Sequence, residues 1–299
     1  MTFISVADAA QAWGISPRSV RNYCAQGRVP GAYRSGKTWL IPSAAQKPAR
    51  SNAKGPATPT PLLERLREER ASKISGGIYH KVQVELTYNS NHIEGSRLSR
   101  EQTRLIFETA TIGAGNDALS VDDIIEASNH FRCIDYVIDH AQDPLTESFV
   151  KELHRMLKSS TTDASKDWFA VGEYKRLPNE VGGRSTTAPE DVASEMGQAL
   201  ATYEARSAHG LEEIVAAHVA LERIHPFQDG NGRVGRLVMF KECLRHGITP
   251  FVISDDLKLF YYRGLARWDE ERGWLMDTCL SAQDTFKEWL DYFRIPYDA

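Results

Sequence analysis

The chain has no apolar run approaching the length of a bilayer span, and its N-terminus lacks the basic-then-apolar order of a secretion leader. Both absences argue against membrane insertion and export, so a cytoplasmic protein without a membrane partner is expected. Cysteine is scarce. Cys24, Cys133, Cys243 and Cys279 are scattered with no CxxC pair, and reduced, unpaired thiols are the simplest account of them. There is no internal repeat. Residues 43–60 lack any large apolar side chain and carry Pro48, Pro56 and Pro59, a composition that stays semi-extended and cannot pack. That segment is read as a linker between a head, residues 1–42, and a body, residues 61–299.

The charge is divided in the same place. Net charge over the whole chain is −4. Residues 1–60 set Arg18, Arg21, Arg28, Arg34, Lys37, Lys47, Arg50 and Lys54 against Asp8 alone, which leaves a basic head on an acidic body. In the head, a helix is expected from Val6 to Trp13 and a second from Pro17. Ser16 is suited to capping the second helix, and Gly27 to ending it. Residues 32–41, broken by Ser35-Gly36, read as a small hairpin. Helix, turn, helix and basic hairpin resembles the winged helix-turn-helix heads of excisionases and MerR-type regulators, which implies DNA as a partner. On that resemblance Arg18, Ser19, Arg21 and Asn22 would meet base edges, with Arg34 and Lys37 near phosphates. One such head is a small footprint, so useful affinity calls for a homodimer.

The densest chemistry lies in the body, in the run His225-Pro-Phe-Gln-Asp-Gly-Asn-Gly-Arg-Val-Gly-Arg236. His225 can accept a proton from a hydroxyl near neutral pH. Asp229 is a hard oxygen ligand of the kind Mg²⁺ takes when it is shared with a nucleotide. Gly230 and Gly232 flank Asn231, so the backbone can turn tightly and aim its amides at an anion. Val234, Leu237, Val238 and Phe240 follow with helical spacing, so this turn opens a helix whose N-terminus favours phosphate. Arg233 and Arg236 are three apart, on one face of that helix. No packing rule asks for this combination.

The run resembles the Fic family signature His-x-Phe-x-(Asp/Glu)-Gly-Asn-Gly-Arg-x-x-Arg at every specified position. The resemblance implies an all-α core with a β-hairpin flap. It implies transfer of AMP from ATP, with Mg²⁺ or Mn²⁺, to a Ser, Thr or Tyr hydroxyl of a target protein. His225 would be the base and Asp229 the metal ligand, while Gly230, Asn231, Gly232, Arg233 and Arg236 would hold the phosphates. A downstream Tyr-Tyr pair is matched by Tyr261-Tyr262, which makes Tyr262 and then Asp269 candidates for the adenine pocket. The segment from Gly172 to Gly183 breaks the helical pattern and resembles the family's flap, with Tyr174, Lys175, Val181 and Gly182 as candidates for positioning a target backbone. Where the family often has Gly-x-Tyr-Arg, this chain has Lys175, and its role is left open.

A second run, Ser90-Asn-His-Ile-Glu94-Gly95, closes a helical stretch that begins near Gly77. It resembles the family's inhibitory motif, placed ahead of the catalytic one. It implies that Ser90, Glu94 and Gly95 restrain the enzyme by engaging Arg236. Two alternatives use the same residues: removal of AMP from a modified protein, and a DNA-binding regulator that senses nucleotide without turnover. His218, on the helix leading into the catalytic run, is read as a core histidine rather than a metal ligand. Ser99 and Gln102 form a capping box. Further helices are expected near 121–141, 146–158, 189–206, 211–224, 232–246, 255–267 and 272–293.

Overall fold

A computed structural model of the chain describes residues 2–25, 29–35, 38–48, 60–113 and 118–297. The head holds two helices, α1 (Val6–Trp13) and α2 (Pro17–Ala25), and three short strands, β1 (Phe3–Ile4), β2 (Tyr33–Ser35) and β3 (Thr38–Pro42). The strands are antiparallel in the order β1-β3-β2, with Ile4 opposite Ile41 and Arg34 opposite Trp39. Ser5 and Asp8 close a capping box on α1, and Ser16 Oγ accepts from the Ser19 amide at 3.1 Å to cap α2. Val6, Ala9, Ala10, Val20, Cys24 and Ile41 form the head's own small core. Strand β1 went unread in the sequence because two residues carry no alternation. Gly27, Gly36 and Lys37 lie outside the described residues.

The body is built of ten helices among the described residues. In order they are α3 (Pro61–Ala71), α4 (Ile78–Ile93), α5 (Arg100–Thr109), α6 (Val121–Asp139), α7 (Glu147–Lys158), α8 (Val192–Glu204), α9 (Leu211–Ile224), α10 (Asn231–Arg245), α11 (Lys258–Ala266) and α12 (Gly273–Tyr292). A two-stranded hairpin, β4 (Glu180–Val181) with β5 (Arg184–Ser185), lies between α7 and α8. Three expectations shift. The helix read over 189–206 starts at Val192, residues 255–257 form a 3-10 turn ahead of α11, and α3 was not foreseen at all.

Helix α10 positions the site. It is buried on nearly every side and packs against α4, α6, α7 and α9, as a helix without a polar stripe must. Leu237 and Phe240 fill the main core with Ile134, Leu153 and Phe227, while Met239 joins a second cluster with Ile214, Tyr261 and Leu275. The cap of α10 is Gly230 at φ 83°, a left-handed backbone that glycine adopts without steric cost. The loop from α9 to α10 is therefore clamped at both ends by core helices. No helix among the described residues is long and apolar enough to cross a membrane.

Candidate active site

Helix α9 ends at Ile224, and His225 caps it with φ 51° and ψ 62°. A non-glycine residue in the left-handed region is held there only when its surroundings impose it. Two anchors do so. Phe227 is fully buried and stacks on His154 of α7 with ring centres 3.9 Å apart; truncating such a side chain costs about 3–5 kcal/mol. Asn231 then ties the loop to itself, accepting from the Phe227 amide and donating to its carbonyl, both at 2.8 Å. Both ends of the Asn231 side chain are thus occupied by the loop's own backbone, so the residue expected in a phosphate cradle here shapes the turn.

His154 went unnoticed in the sequence, and it links two parts of the site. Its Nδ1 accepts from the Gly172 amide at 2.9 Å, while its ring carries Phe227. Burial drives it to about 3, so it stays neutral. The segment after Gly172 is fastened to the same loop. The Lys175 amide donates to the Pro226 carbonyl at 2.8 Å, and Asn179 Nδ2 to the Phe227 carbonyl at 3.1 Å. Lys175 Nζ turns inward to Asn179 Oδ1 at 2.7 Å and Thr186 Oγ1 at 2.6 Å. Burial brings this amine down to about 8. Lys175 therefore fastens the base of the hairpin. Tyr174 packs beneath it, its hydroxyl donating to Glu147 at 2.7 Å. Val181 and Gly182, at the hairpin tip, are exposed.

His225 lies below the usual imidazole range, because burial and the Lys175 cation outweigh the Glu222 carbonyl, Glu94 and Asp229, which pull the other way. It is thus neutral near pH 7. Asp229 meets two cations, Lys158 Nζ at 2.7 Å and Arg233 Nη2 at 3.1 Å. Burial pushes its carboxyl up, but those cations prevail and hold it at about 2. Its side chain is 51% exposed, so an ionised hard oxygen is offered at the mouth of the loop. No group of three or more His, Cys, Asp or Glu side chains that could hold a metal alone occurs among the described residues. Asp229 fits a metal only as one shared with a nucleotide's phosphates. Glu126 of α6 completes the network, contacting both Lys158, at 2.5 Å, and Arg233. The guanidinium of Arg233 is thus engaged by Asp229 and Glu126.

Arg236 is the other cation, and α4 holds it. Its Nε donates to Ser90 Oγ at 3.0 Å, and its Nη2 to the Ser90 carbonyl at 2.8 Å and to Glu94 Oε1 at 2.7 Å. Glu94 caps the C-terminus of α4, and Gly95 follows at φ 99°. A carboxylate there faces the negative end of the helix dipole, so the bond to Arg236 is what makes the position favourable. Gly232 lets the two meet, because a Cβ on it would collide with Glu94 Oε1. His218 is buried, with Nε2 2.6 Å from the Tyr261 hydroxyl. Tyr262, half-exposed, donates to the Ile93 carbonyl at 3.4 Å beside the end of α4. Asp269 is mostly exposed and pairs with Arg223 at 2.8 Å, at the rim.

In the head, Arg18 pairs with Asp284 of α12, and Ser16 Oγ donates to Asp277 Oδ1 at 2.7 Å. Ser19 Oγ lies 3.1 Å from Ser16 Oγ. Arg21 and Arg34 are exposed and Asn22 half-buried. The N-terminal end of α2 therefore faces the body.

The loop, the helix it opens and the arginines on one face form a single cluster of cations, carboxylates and helix N-terminal amides. Residues 144–243 match the Fic/DOC family. It is similar to the protein adenylyltransferase Fic of Aedes aegypti, 29% identical over 182 residues, 60% of this chain and 36% of that protein. The same-named protein of Drosophila grimshawi is 31% identical over 187 residues, 60% of this chain and 36% of its own. The chain thus spans about a third of the length of these curated relatives. Among solved structures, a Fic domain containing signaling protein from Bacteroides thetaiotaomicron aligns with TM-score 0.58 and 29% identity, over 77% of this chain and 90% of that one. Fic-1 of C. elegans aligns with TM-score 0.60 at 19% identity, over 78% and 71%, a likeness of fold.

Proposed function

We propose that the protein is an adenylyltransferase that moves AMP from ATP to a Ser, Thr or Tyr hydroxyl of another protein, and that Glu94 holds it largely off. The observation that carries this reading is the bond between Arg236 and Glu94, in a loop that also presents a neutral, left-handed His225. The naming of its relatives as protein adenylyltransferases supports the reaction.

His225 takes the proton of the target hydroxyl as its oxygen attacks the α-phosphorus, and the bond to the β-phosphate oxygen breaks to release pyrophosphate. Asp229 would hold Mg²⁺ or Mn²⁺, which when bound neutralises charge across the phosphates. The first-turn amides of α10, around Gly230, Asn231 and Gly232, point toward that anion. Arg236 holds the terminal phosphate, and Arg233, paired with Asp229 and Glu126, adds positive charge beside it. Tyr262 flanks the base, while Asp269, tied to Arg223, stays outside. Val181 and Gly182, at the exposed tip of the hairpin, would meet an extended target segment.

Glu94 interferes by occupying Arg236. A carboxylate paired with that guanidinium puts negative charge where the terminal phosphate belongs, and misplaced phosphates lose in-line geometry. The reverse reaction, hydrolysis of an AMP-protein bond, draws on the same residues. The head contributes a separate reading, DNA contact through Arg21, Arg34 and the end of α2.

The test is transfer of label from α-³²P-ATP with Mg²⁺, with self-modification as readout, for wild type, Glu94→Gly and Glu94→Gly/His225→Ala. Strong labelling confined to Glu94→Gly is expected. Equal labelling of wild type and Glu94→Gly would remove the inhibitory role, and labelling that survives His225→Ala would remove the base.

A further inference from the structure

Two buried polar atoms beside the site have no hydrogen-bond partner: Nη1 of Arg236 and Oε1 of Glu222. Glu222 lies on the last turn of α9, three residues before His225, with its side chain 15% exposed. Arg236 is bonded through Nε and Nη2 to Ser90 and Glu94, which leaves Nη1 without a hydrogen bond, while the guanidinium carbon stands 6.0 Å from the Tyr261 ring. The floor between the two groups is made by glycines one turn apart on α10. A Cβ on Gly232 would stand 3.0 Å from Arg236 Nη1, and a Cβ on Gly235 would stand 3.3 Å from Glu222 Oε1. Leaving both a donor and an acceptor buried and unpaired is costly, so the arrangement calls for a reason.

We propose that Glu222 is a positioning residue for Arg236, a reserve counter-charge that takes the Nη1 edge of the guanidinium when Glu94 withdraws and so competes with incoming phosphate. This rests on the reading above, in which Arg236 serves the nucleotide and Glu94 blocks it.

The electrostatics follow from the groups facing Glu222. These are Arg236 on α10, Glu94 at the end of α4, His218 on its own helix with Nε2 3.8 Å away, and Tyr261 and Tyr262 on α11. His218 is held neutral by burial at about 3. Both tyrosines are pushed up, Tyr262 to about 12, so neither adds charge near neutrality. Burial raises the Glu222 carboxyl, Arg236 opposes that rise and Glu94 adds to it, leaving it at about 7. While Glu94 is in place, Glu222 is therefore only partly ionised near neutrality and Arg236 faces one full carboxylate. When Glu94 leaves, the group that raised Glu222 is gone but Arg236 remains. The Glu222 carboxyl then falls, loses its proton to solvent and pairs with Arg236. The buried guanidinium is never left uncompensated, and phosphate must displace a weaker rival than Glu94.

The experiment measures Mg·ATP dissociation constants by calorimetry on the full chain, in a His225→Ala background that prevents turnover. The four variants are the parent, Glu94→Gly, Glu94→Gly/Glu222→Gln and Glu222→Gln, each at about pH 6 and about pH 8. In the Glu94→Gly background, Glu222→Gln is expected to tighten binding on the order of tenfold at the higher pH, where a charged competitor is removed, and to tighten it less at the lower pH, where part of the carboxyl is already protonated. With Glu94 present, Glu222→Gln should have a smaller effect than in the Glu94→Gly background at either pH, because Glu94 still holds Arg236. A structural role alone would weaken binding equally at both pH values. That result, or no change at either, overturns the proposal. A Glu94→Gly protein that binds no tighter than its parent overturns the competition for Arg236 itself. It is recognised separately, because the Glu222 comparison is made wholly within the Glu94→Gly background.

Discussion

Lys158 Nζ stands 2.7 Å from the Asp229 carboxylate although the two residues lie 71 positions apart and the lysine side chain is only 2% exposed. The amine also meets Glu126 at 2.5 Å and Asp163 at 3.2 Å. Burial works against its charge, but Asp229 and Glu126 more than restore it. Lys158→Met keeps the stem and removes the charge, leaving three carboxylates with too few cations. Breaking a buried ion network from one side costs about 3–5 kcal/mol, a fall in Tm of roughly 5–15 °C. Thermal unfolding of the variant checks this. An unchanged Tm would mean that water or Arg233 already compensates these carboxylates.

Ser90 gives a graded test of the restraint on Arg236. Its hydroxyl accepts from Nε at 3.0 Å, while its carbonyl, which no substitution removes, accepts from Nη2 at 2.8 Å. Ser90→Ala therefore loosens the guanidinium without touching Glu94. A hydrogen bond to a charged group contributes about 1.5–3 kcal/mol. Self-labelling should rise above wild type by several-fold and remain below Glu94→Gly. Labelling equal to Glu94→Gly would show that Ser90, rather than Glu94, carries the restraint.

The candidate site residues from His225 to Arg236 were legible because they are consecutive, so that spacing alone sets which groups share a turn or a helix face. Glu94 was legible for a similar reason, since a helix ending at a glycine announces where its last side chain sits. Lys158, Glu126, His154 and Glu222 were not. Each sits on a helix whose sequence reads as ordinary amphipathic packing, and their meeting depends on how α6, α7 and α9 pack around α10. Helix α3 was hidden by its charges, although Thr60, whose Oγ1 accepts from the Leu63 amide at 3.2 Å, and Pro61 form a regular helix start. The chemistry of Lys175 was ambiguous until its Nζ was seen turned inward to Asn179 and Thr186.

The head offers a prediction of a different kind. Asp277 meets the capping hydroxyl of Ser16, and Asp284 meets Arg18, so two carboxylates occupy the end of α2 that a nucleic-acid phosphate would use. Asp277→Asn/Asp284→Asn removes both charges from α12 and alters nothing in the head. If the head takes DNA through this end, affinity for a short fluorescein-labelled duplex at low salt should rise about threefold to fivefold, the range expected for exposed ion pairs. Fluorescence anisotropy reads the change, and adding salt should reduce it. Equal affinity in both proteins would assign the basic residues of α2 to docking on the body.

Three buried histidines set the acid limit of the fold. His130, His154 and His218 are each driven by burial from 6.5 to about 3. In the unfolded chain they bind protons below about pH 6.5, while the folded chain does not, so the stability they permit is complete above that pH and is lost as pH falls. One unit below the unfolded value each costs about 1.4 kcal/mol, so the three together cost about 4 kcal/mol. Tm should accordingly decline between about pH 7.5 and about pH 5.5. His154→Phe isolates one contribution. It keeps an aromatic ring on Phe227, loses the bond from the Gly172 amide, and cannot take a proton. Its Tm should be lower at neutral pH, yet its decline toward acid should be about one third smaller than that of wild type. A parallel decline in the two proteins would show that His154 is not held neutral by the fold, and that acid acts elsewhere.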